Sequence, residues 1–345
     1  MPQGDAGLRT LLEAAVPFAL PLRRRFRGLD VREGVLIKGP SGWGEFAPFD
    51  DYSPAAASRW LDSAIEAAFG EWAPALRAEV EVNAIIPALG SGDAATVTRE
   101  AVLELGCRTI KVKVGDPDLA DDEARVASVR DVLDTVLGRG NGAIRIDANG
   151  AWDVERAVLA LRRLGAYDLE YVEQPCPTTE ELRSLRRRVD VPIAADESVR
   201  TSDDPASVRL ADIADIAVVK AAPLGGVAAT LRIVESLGVP VVVSGSLDSS
   251  IGLDVAIAAA AAIDDLPFAC GFGTGALLAA DVVDSTRLPR GGALAVGRRL
   301  PDLPALMAAR DRLPDERAEW WRARIEQAWL AGAAERSGHL VLAAS

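Results

Sequence analysis

Three short stretches decide how this chain folds: Ile144-Arg145-Ile146-Asp147, Tyr171-Val172-Glu173 and Ile193-Ala194-Ala195-Asp196. Each is an apolar run that closes on an acid, and each reads as a buried strand with the acid at its C-terminal end. The acids lie 26 residues apart (147 to 173) and then 23 apart (173 to 196), about one strand and one helix per interval. Upstream, Lys111-Val112-Lys113 sits on an earlier strand candidate. Downstream, Lys220 ends the run Ala217-Val218-Val219-Lys220.

Working outward, eight strand candidates recur: Val82–Ile86, Thr109–Val114, Ala143–Asp147, Leu169–Glu173, Pro192–Asp196, Ile213–Lys220, Pro240–Ser244 and Pro267–Gly271. Their starts are 21 to 34 residues apart, and amphipathic helical patterns fill the gaps. Asp153–Leu164 is one such pattern, with Val154, Ala157, Val158, Leu161 and Leu164 on one face. Strands alternating with helices favour a parallel sheet with right-handed crossovers. Eight units in roughly 200 residues suit a (β/α) barrel better than an open sheet. The open doubly wound alternative lacks a Gly-x-Gly-x-x-Gly after an early strand.

The chain ends read differently. Val31–Lys38 and Gly42–Phe46 look like strands of a meander, followed by a helix from about Ala55 to Phe69. Glu316–Gly332 looks helical and carries Trp320, Trp321 and Trp329. The expected fold is α/β: a modified TIM (β/α) barrel under an α+β cap built from both ends. Residues 1–80 and 288–345 would form the cap and 81–287 the barrel, with the tail from Ala333 partly disordered.

Bulk properties narrow the function. The chain has 345 residues, is 49% hydrophobic and carries a formal charge of −13. An acidic surface argues against nucleic acid and anionic membranes as partners. The cluster Arg23-Arg24-Arg25, with Arg27, is the local exception. Cys107, Cys176 and Cys270 show neither a disulfide framework nor zinc spacing, which suits a reducing cytoplasm. No apolar stretch reaches the roughly 18 residues that span a bilayer. At the N-terminus the basic cluster follows the apolar stretch, the wrong order for a secretory signal. Oligomeric state is left open.

In a parallel barrel the strand C-termini share one mouth. Asp147, Glu173 and Asp196 come from consecutive strands and should be neighbours there. Packed together they would repel unless a cation neutralised them, and oxygen-only ligation suits Mg²⁺. The plainer alternative is that each acid caps the next helix or turn. Lys111 and Lys113 are two apart on a strand, so both face the interior, with Ile110, Val112 and Val114 towards the helices. A register slip of one would turn both lysines outward. Two neighbouring ammonium groups beside a bound cation should lower the pKa of one, making it a base near neutral pH. Lys220 lies four strands on, across the barrel. The only histidine, His339, sits near the C-terminus and is expected at the surface, so proton chemistry must use lysine, carboxylate or tyrosine. Ser244-Gly245-Ser246 and Gly271-Phe272-Gly273-Thr274-Gly275 follow the last two strands and could bring backbone N–H groups to a carboxylate, or could be ordinary turns. Arg23–Arg27 with Phe26, and Gly44-Glu45-Phe46-Ala47-Pro48, could close over the mouth.

The residues Lys111-x-Lys113, Asp147-x-Asn149-Gly150, Glu173-Gln174-Pro175, Asp196-Glu197-Ser198 and Lys220, in that order, resemble the enolase superfamily, muconate-lactonizing-enzyme subgroup. The resemblance covers nearly the whole chain. Within the subgroup it is most similar to the o-succinylbenzoate synthases of menaquinone biosynthesis, the small actinobacterial type. It implies a Mg²⁺-dependent enzyme acting on a small-molecule carboxylate. Asp147, Glu173 and Asp196 would ligate the metal and Lys113 would remove the α-proton. Lys220 would steady the intermediate from the other face, Lys111 would tune Lys113, and Asn149 and Glu197 would support the site. N-succinylamino acid racemase and muconate cycloisomerase share the toolkit, and an inactive barrel scaffold is the non-enzymatic alternative. Dipeptide epimerases carry an Asp-x-Asp after the eighth strand; Gly271–Gly275 has no acid. Asp248 stands where relatives often have Glu.

Overall fold

Seven of the eight strand candidates form one parallel sheet, and the eighth closes it without becoming a strand. The computed structural model describes residues 3–26, 28–200 and 210–343; Arg27 of the basic cluster lies outside them. A helix, Gln3–Ala14, leads into an antiparallel meander of β1 (Ala15–Phe26), β2 (Leu29–Gly39) and β3 (Gly42–Phe46). A helix, Pro54–Phe69, packs on it, with the Ser53 side chain accepting from the Ala56 N–H as an N-cap. Contact is so close that a Cβ on Gly44 would lie 2.0 Å from the Ala64 carbonyl oxygen.

After β4 (Glu79–Glu81) come the barrel strands β5 (Ala84–Ile86), β6 (Thr109–Lys113), β7 (Ala143–Asp147), β8 (Leu169–Glu173), β9 (Ile193–Ala195), β10 (Ile216–Val219) and β11 (Val241–Val243). They pair in sequence order from β5 to β11. β12 (Ala293–Ala295) returns antiparallel to β4. The expected eighth strand, Pro267–Gly271, makes only isolated parallel bridges, Val82 to Cys270 and Ser244 to Gly271. Its N–H groups are divided between two neighbours: Cys270 donates to the Glu81 carbonyl (2.7 Å) and Gly271 to the Val243 carbonyl (2.8 Å). The segment therefore stitches the ring shut instead of running a ladder along one edge.

Side chains alternate across the sheet. Ile110, Val112, Ile144, Ile146, Val172, Ile193, Val219 and Val243 face the helices in one large core. Tyr171, Ala194, Ile216, Val218 and Val242 form a smaller cluster on the opposite face, with Phe268 against it. Helix Val154–Leu164 begins at Asp153, which accepts from the Arg156 N–H.

The cap departs from expectation in two places. Strand β1 was absent from the sequence reading, because Pro17 and Pro21 break its alternation; Arg23, Arg24 and Arg25 are its exposed end. The tail expected to be partly disordered is helical from Ala334 to Ala343, after a turn through Gly332 at φ 132°. Ala333 and Val341 pack with Trp60, Trp321 and Trp329 in the cap core, which holds that helix in place. His339 is on its exposed side.

Candidate active site

The register of the sheet brings the predicted residues together. Lys113 pairs with Asp147 and Asp147 with Glu173 as direct neighbours on β6, β7 and β8. Asp196 follows β9 and Lys220 follows β10. Lys111, Lys113, Asp147, Glu173, Asp196 and Lys220 all line one cavity, together with Ser244, Gly245 and Ser246. Both lysines of β6 therefore point inward, and the slipped register is excluded.

Each acid is held by a lysine. Lys111 Nζ donates to both Glu173 oxygens at 2.9 Å and sits 3.3 Å from Asp147 Oδ2. Lys113 Nζ donates to Asp147 Oδ2 and, at 2.6 Å, to Asn149 Oδ1. Lys220 Nζ donates to both oxygens of Asp196. All three carboxylates are essentially inaccessible to solvent. Burial first, and then the charge of Asp147, pushes the Glu173 carboxyl up to about 7, while Lys111 pulls it back. Burial works against the Lys111 ammonium, but Glu173 and Asp147 outweigh it and its pKa rises. Lys111 is thus not the lysine whose pKa falls, because its nearest charges are carboxylates and not Lys113.

The loops add a second layer. Asn149 Nδ2 donates to Glu197 Oε1 (3.2 Å), tying the turn after β7 to the turn after β9. Gln174 accepts from the backbone N–H of Asp196 (3.0 Å) and Ser198 (3.3 Å), and donates to the Cys176 carbonyl and the Ser198 hydroxyl, both at 2.9 Å. Asn149 and Gln174 hold positive φ values of 46° and 39°, two residues after β7 and one after β8, the kind of local strain that collects at functional sites.

Two expectations about the cap need correction. Arg23 is turned away, donating to the Leu278 carbonyl at 3.0 Å, and Arg24 and Arg25 face Asp93 and Asp30 at the surface. None of the three lines the cavity, although Phe26 does, 5.9 Å from Lys113 Nζ. Gly44–Phe46 is buried and lines no part of the cavity, with Glu45 turned to the barrel loop at Ser249; Phe49, Tyr52 and Trp60, further along, face the cavity instead.

Three oxygen donors on adjacent strand ends are the donor set of a hard divalent cation. Among the described residues, no three His, Cys, Asp or Glu side chains converge on one point as they stand. The lysine pairs account for this: each carboxylate is turned onto an ammonium group that supplies the charge it needs. The donor set fits the cation; the present rotamers serve the lysines.

Comparison with known proteins agrees with this geometry. The enolase C-terminal domain-like family model matches residues 93–304, and the enolase N-terminal domain-like model matches residues 17–68. The chain belongs to the enolase superfamily. Among similar proteins, the o-succinylbenzoate synthase of Thermobifida fusca (strain YX) is 49% identical over 312 residues, covering 88% of this chain and 96% of that one. The o-succinylbenzoate synthase of Mycolicibacterium smegmatis is 49% identical over 333 residues, covering 94% and 98%. The solved muconate lactonizing enzyme of Pseudomonas putida superposes with a TM-score of 0.68 at 22% identity, covering 86% of this chain and 98% of that one. At that identity it is the superfamily fold that is shared. Enzymes of the superfamily generally use a divalent metal, Mg²⁺.

Sequence reasoning missed several residues that the superfamily fold gathers here. Gln174 had a signal in Glu173-Gln174-Pro175. Thr274 lies in the Gly271–Gly275 loop singled out for its backbone N–H groups; Asn83, Ile85, Phe49, Tyr52 and Trp60 had no signal, because they reach the cavity only through tertiary packing. Among the described residues no helix is long and apolar enough to cross a membrane.

Proposed function

We propose that this chain is an o-succinylbenzoate synthase, a cytoplasmic lyase that converts 2-succinyl-6-hydroxy-2,4-cyclohexadiene-1-carboxylate to 2-succinylbenzoate and water in menaquinone biosynthesis. The observation that carries the reading is the 49% identity to two such synthases across nearly their whole length. The facing lysines and buried carboxylates of the cavity support it. The same reading divides the chain into a cap portion (1–80), a barrel (81–287) and a C-terminal return (288–345).

Asp147, Glu173 and Asp196 would hold Mg²⁺. When bound, the cation supplies Lewis-acid charge at the substrate's ring carboxylate and so acidifies the adjacent C1–H. Lys113, as the neutral amine, takes the C1 proton as general base. The electron pair of that bond becomes the C1–C6 double bond as the C6–O bond breaks. Lys113 returns the same proton to the departing hydroxyl, which leaves as water on the same face. The ring becomes aromatic and the lysine ends as it began. Lys220, on the far side of the acid cluster, sets its charge against the opposite ring face. Lys111 anchors Glu173 and Asp147 and tunes Lys113, and Asn149 fixes the Lys113 amine through its Oδ1. Phe26 and the aromatic wall of the cap keep water from the base.

The two flanking lysines also suit a second reaction, racemisation of N-succinylamino acids with Lys113 and Lys220 as opposed acid and base. An absorbance assay with Mg²⁺ and the cyclohexadiene substrate separates the two. Rapid, chelator-sensitive loss of the diene band is expected. Absence of turnover, together with deuterium exchange at the α-carbon of N-succinylamino acids, would replace the dehydratase with the racemase.

A further inference from the structure

All the lysines around the cavity are committed to carboxylates, but two neutral donors are not. Trp60 Nε1 and Thr274 Oγ1 are buried without a hydrogen-bond partner, and both residues border the cavity. Trp60 is 1% exposed and Thr274 8%. A buried donor with no acceptor is costly, so native proteins leave few of them and those few call for an explanation. Trp72 and Trp152 also have unpartnered indole N–H groups, but they are not among the residues around this cavity.

The two donors come from different walls and are held differently. Trp60 projects from the cap helix Pro54–Phe69. Its ring is fixed by edge-on packing against Phe49 (6.2 Å, 83°) and Tyr52 (5.7 Å, 83°), so its orientation is set before any ligand arrives. Thr274 lies in the loop that closes the barrel. A Cβ on Gly245 would sit 3.7 Å from the Thr274 Oγ1 and 2.8 Å from Asp248 Oδ2, so the glycine lets the loop after β11 pack closely beside the hydroxyl. An indole N–H can only donate, and the ligand group that meets it must therefore accept.

The proposed substrate has such groups. Its ring carboxylate belongs at the acid cluster, which leaves the succinyl arm, whose ketone and terminal carboxylate are acceptors only. We propose that Trp60 Nε1 and Thr274 Oγ1 are the hydrogen-bond donors that bind this succinyl arm, one from the cap and one from the barrel. The proposal rests on the o-succinylbenzoate synthase reading and deepens it. It makes the cap a direct participant in substrate choice, because an arm bound by both donors bridges the two parts of the fold.

The test uses the full chain with Mg²⁺ and two variants that each remove a donor: Thr274→Val, which keeps the shape, and Trp60→Phe, which keeps an aromatic ring but is smaller, so the benzoate control below reads any damage from the lost volume. Calorimetry gives the Kd of 2-succinylbenzoate and of benzoate, which lacks the arm, and steady-state assays give kcat and KM. Each variant should weaken 2-succinylbenzoate by about 10- to 100-fold, the range for a hydrogen bond to a charged group. The loss in kcat/KM should appear mainly in KM. Benzoate affinity should be unchanged, and Thr274→Ser, which restores the hydroxyl, should recover the wild-type value. Unchanged affinity for 2-succinylbenzoate in both variants would overturn the proposal. An equal loss for benzoate would also overturn it, because the cavity itself would then have been damaged. Failure of the underlying function looks different: the wild type itself would not dehydrate the substrate.

Discussion

The two faces of the barrel strands carry opposite chemistry. On β6, Ile110 and Val112 point outward into a fully buried aliphatic core, while Lys111 and Lys113 point inward onto carboxylates. On β7, Ile144 and Ile146 face out and Arg145 and Asp147 face in. The outward face does what hydrophobic burial does, contributing about 1.5–3 kcal/mol per large side chain. The inward face buries charge, and the desolvation that this costs is offset only by close pairing. One strand thus carries aliphatic packing on one side and the charges of the candidate site on the other, and substitutions on the two sides should fail in different ways.

The largest expected effect is on the inner face. Lys113→Ala should lower kcat by about 10²- to 10⁴-fold, the usual contribution of a general base. It should keep the rise in melting temperature that Mg²⁺ produces, since the three acids remain. Full activity in this variant would remove Lys113 from the mechanism. On the outer face, Ile146→Ala should cost about 2–5 kcal/mol of stability, read from denaturant unfolding. Its kcat should match the wild type wherever the protein is folded. A catalytic loss of the Lys113→Ala size at Ile146 would break the division of labour between the faces.

The same two faces explain what was legible in the sequence. The barrel was readable because each strand is a short apolar run at a regular spacing, and because a charge inside such a run has few structural uses. Asp147, Glu173, Asp196, Lys111, Lys113 and Lys220 were all visible on those grounds. The eighth strand was over-read, since an apolar run predicts burial and cannot predict which neighbour takes its N–H groups. The cavity wall contributed by the cap was not visible. Phe49, Tyr52 and Trp60 belong to a loop and a helix whose pattern says only that they are buried, and their nearness to Lys113 is set by how β3 and its helix seat on the barrel. The tail helix was missed because its apolar positions, Leu340 and Val341, mean little without the tryptophan core that receives them.

A smaller effect tests the acids together. In the wild type, Mg²⁺ at about one hundred times its Kd should stabilise the fold by about 2.7 kcal/mol. In Asp196→Asn that gain should shrink to near zero, measured as the Mg²⁺-dependent shift in melting temperature. A full shift in the variant would mean that the cation binds without Asp196.

The smallest effect is a change of slope, and it bears on how the cap is seated. Glu45 of β3 is buried against the barrel loop, where the Ser249 N–H donates to its carboxylate at 3.2 and 3.4 Å. Burial, and then the nearby Asp248, pushes the Glu45 carboxyl up to about 8, while Arg32 pulls it down. Asp248 is also raised by burial, with Arg32, Lys220 and the Ser246 N–H opposing. A carboxyl whose pKa is raised on folding binds its proton more tightly in the native state. Its contribution to stability is therefore complete below the ordinary value of 4.5 and is lost as pH climbs to about 8. Glu45→Gln keeps the shape and cannot titrate. Its melting temperature should fall less than that of the wild type between pH 5 and pH 8, while the two should converge at low pH. Parallel curves would show that Glu45 stays ionised in the native interface, with the Arg32 guanidinium outweighing both its burial and the charge of Asp248.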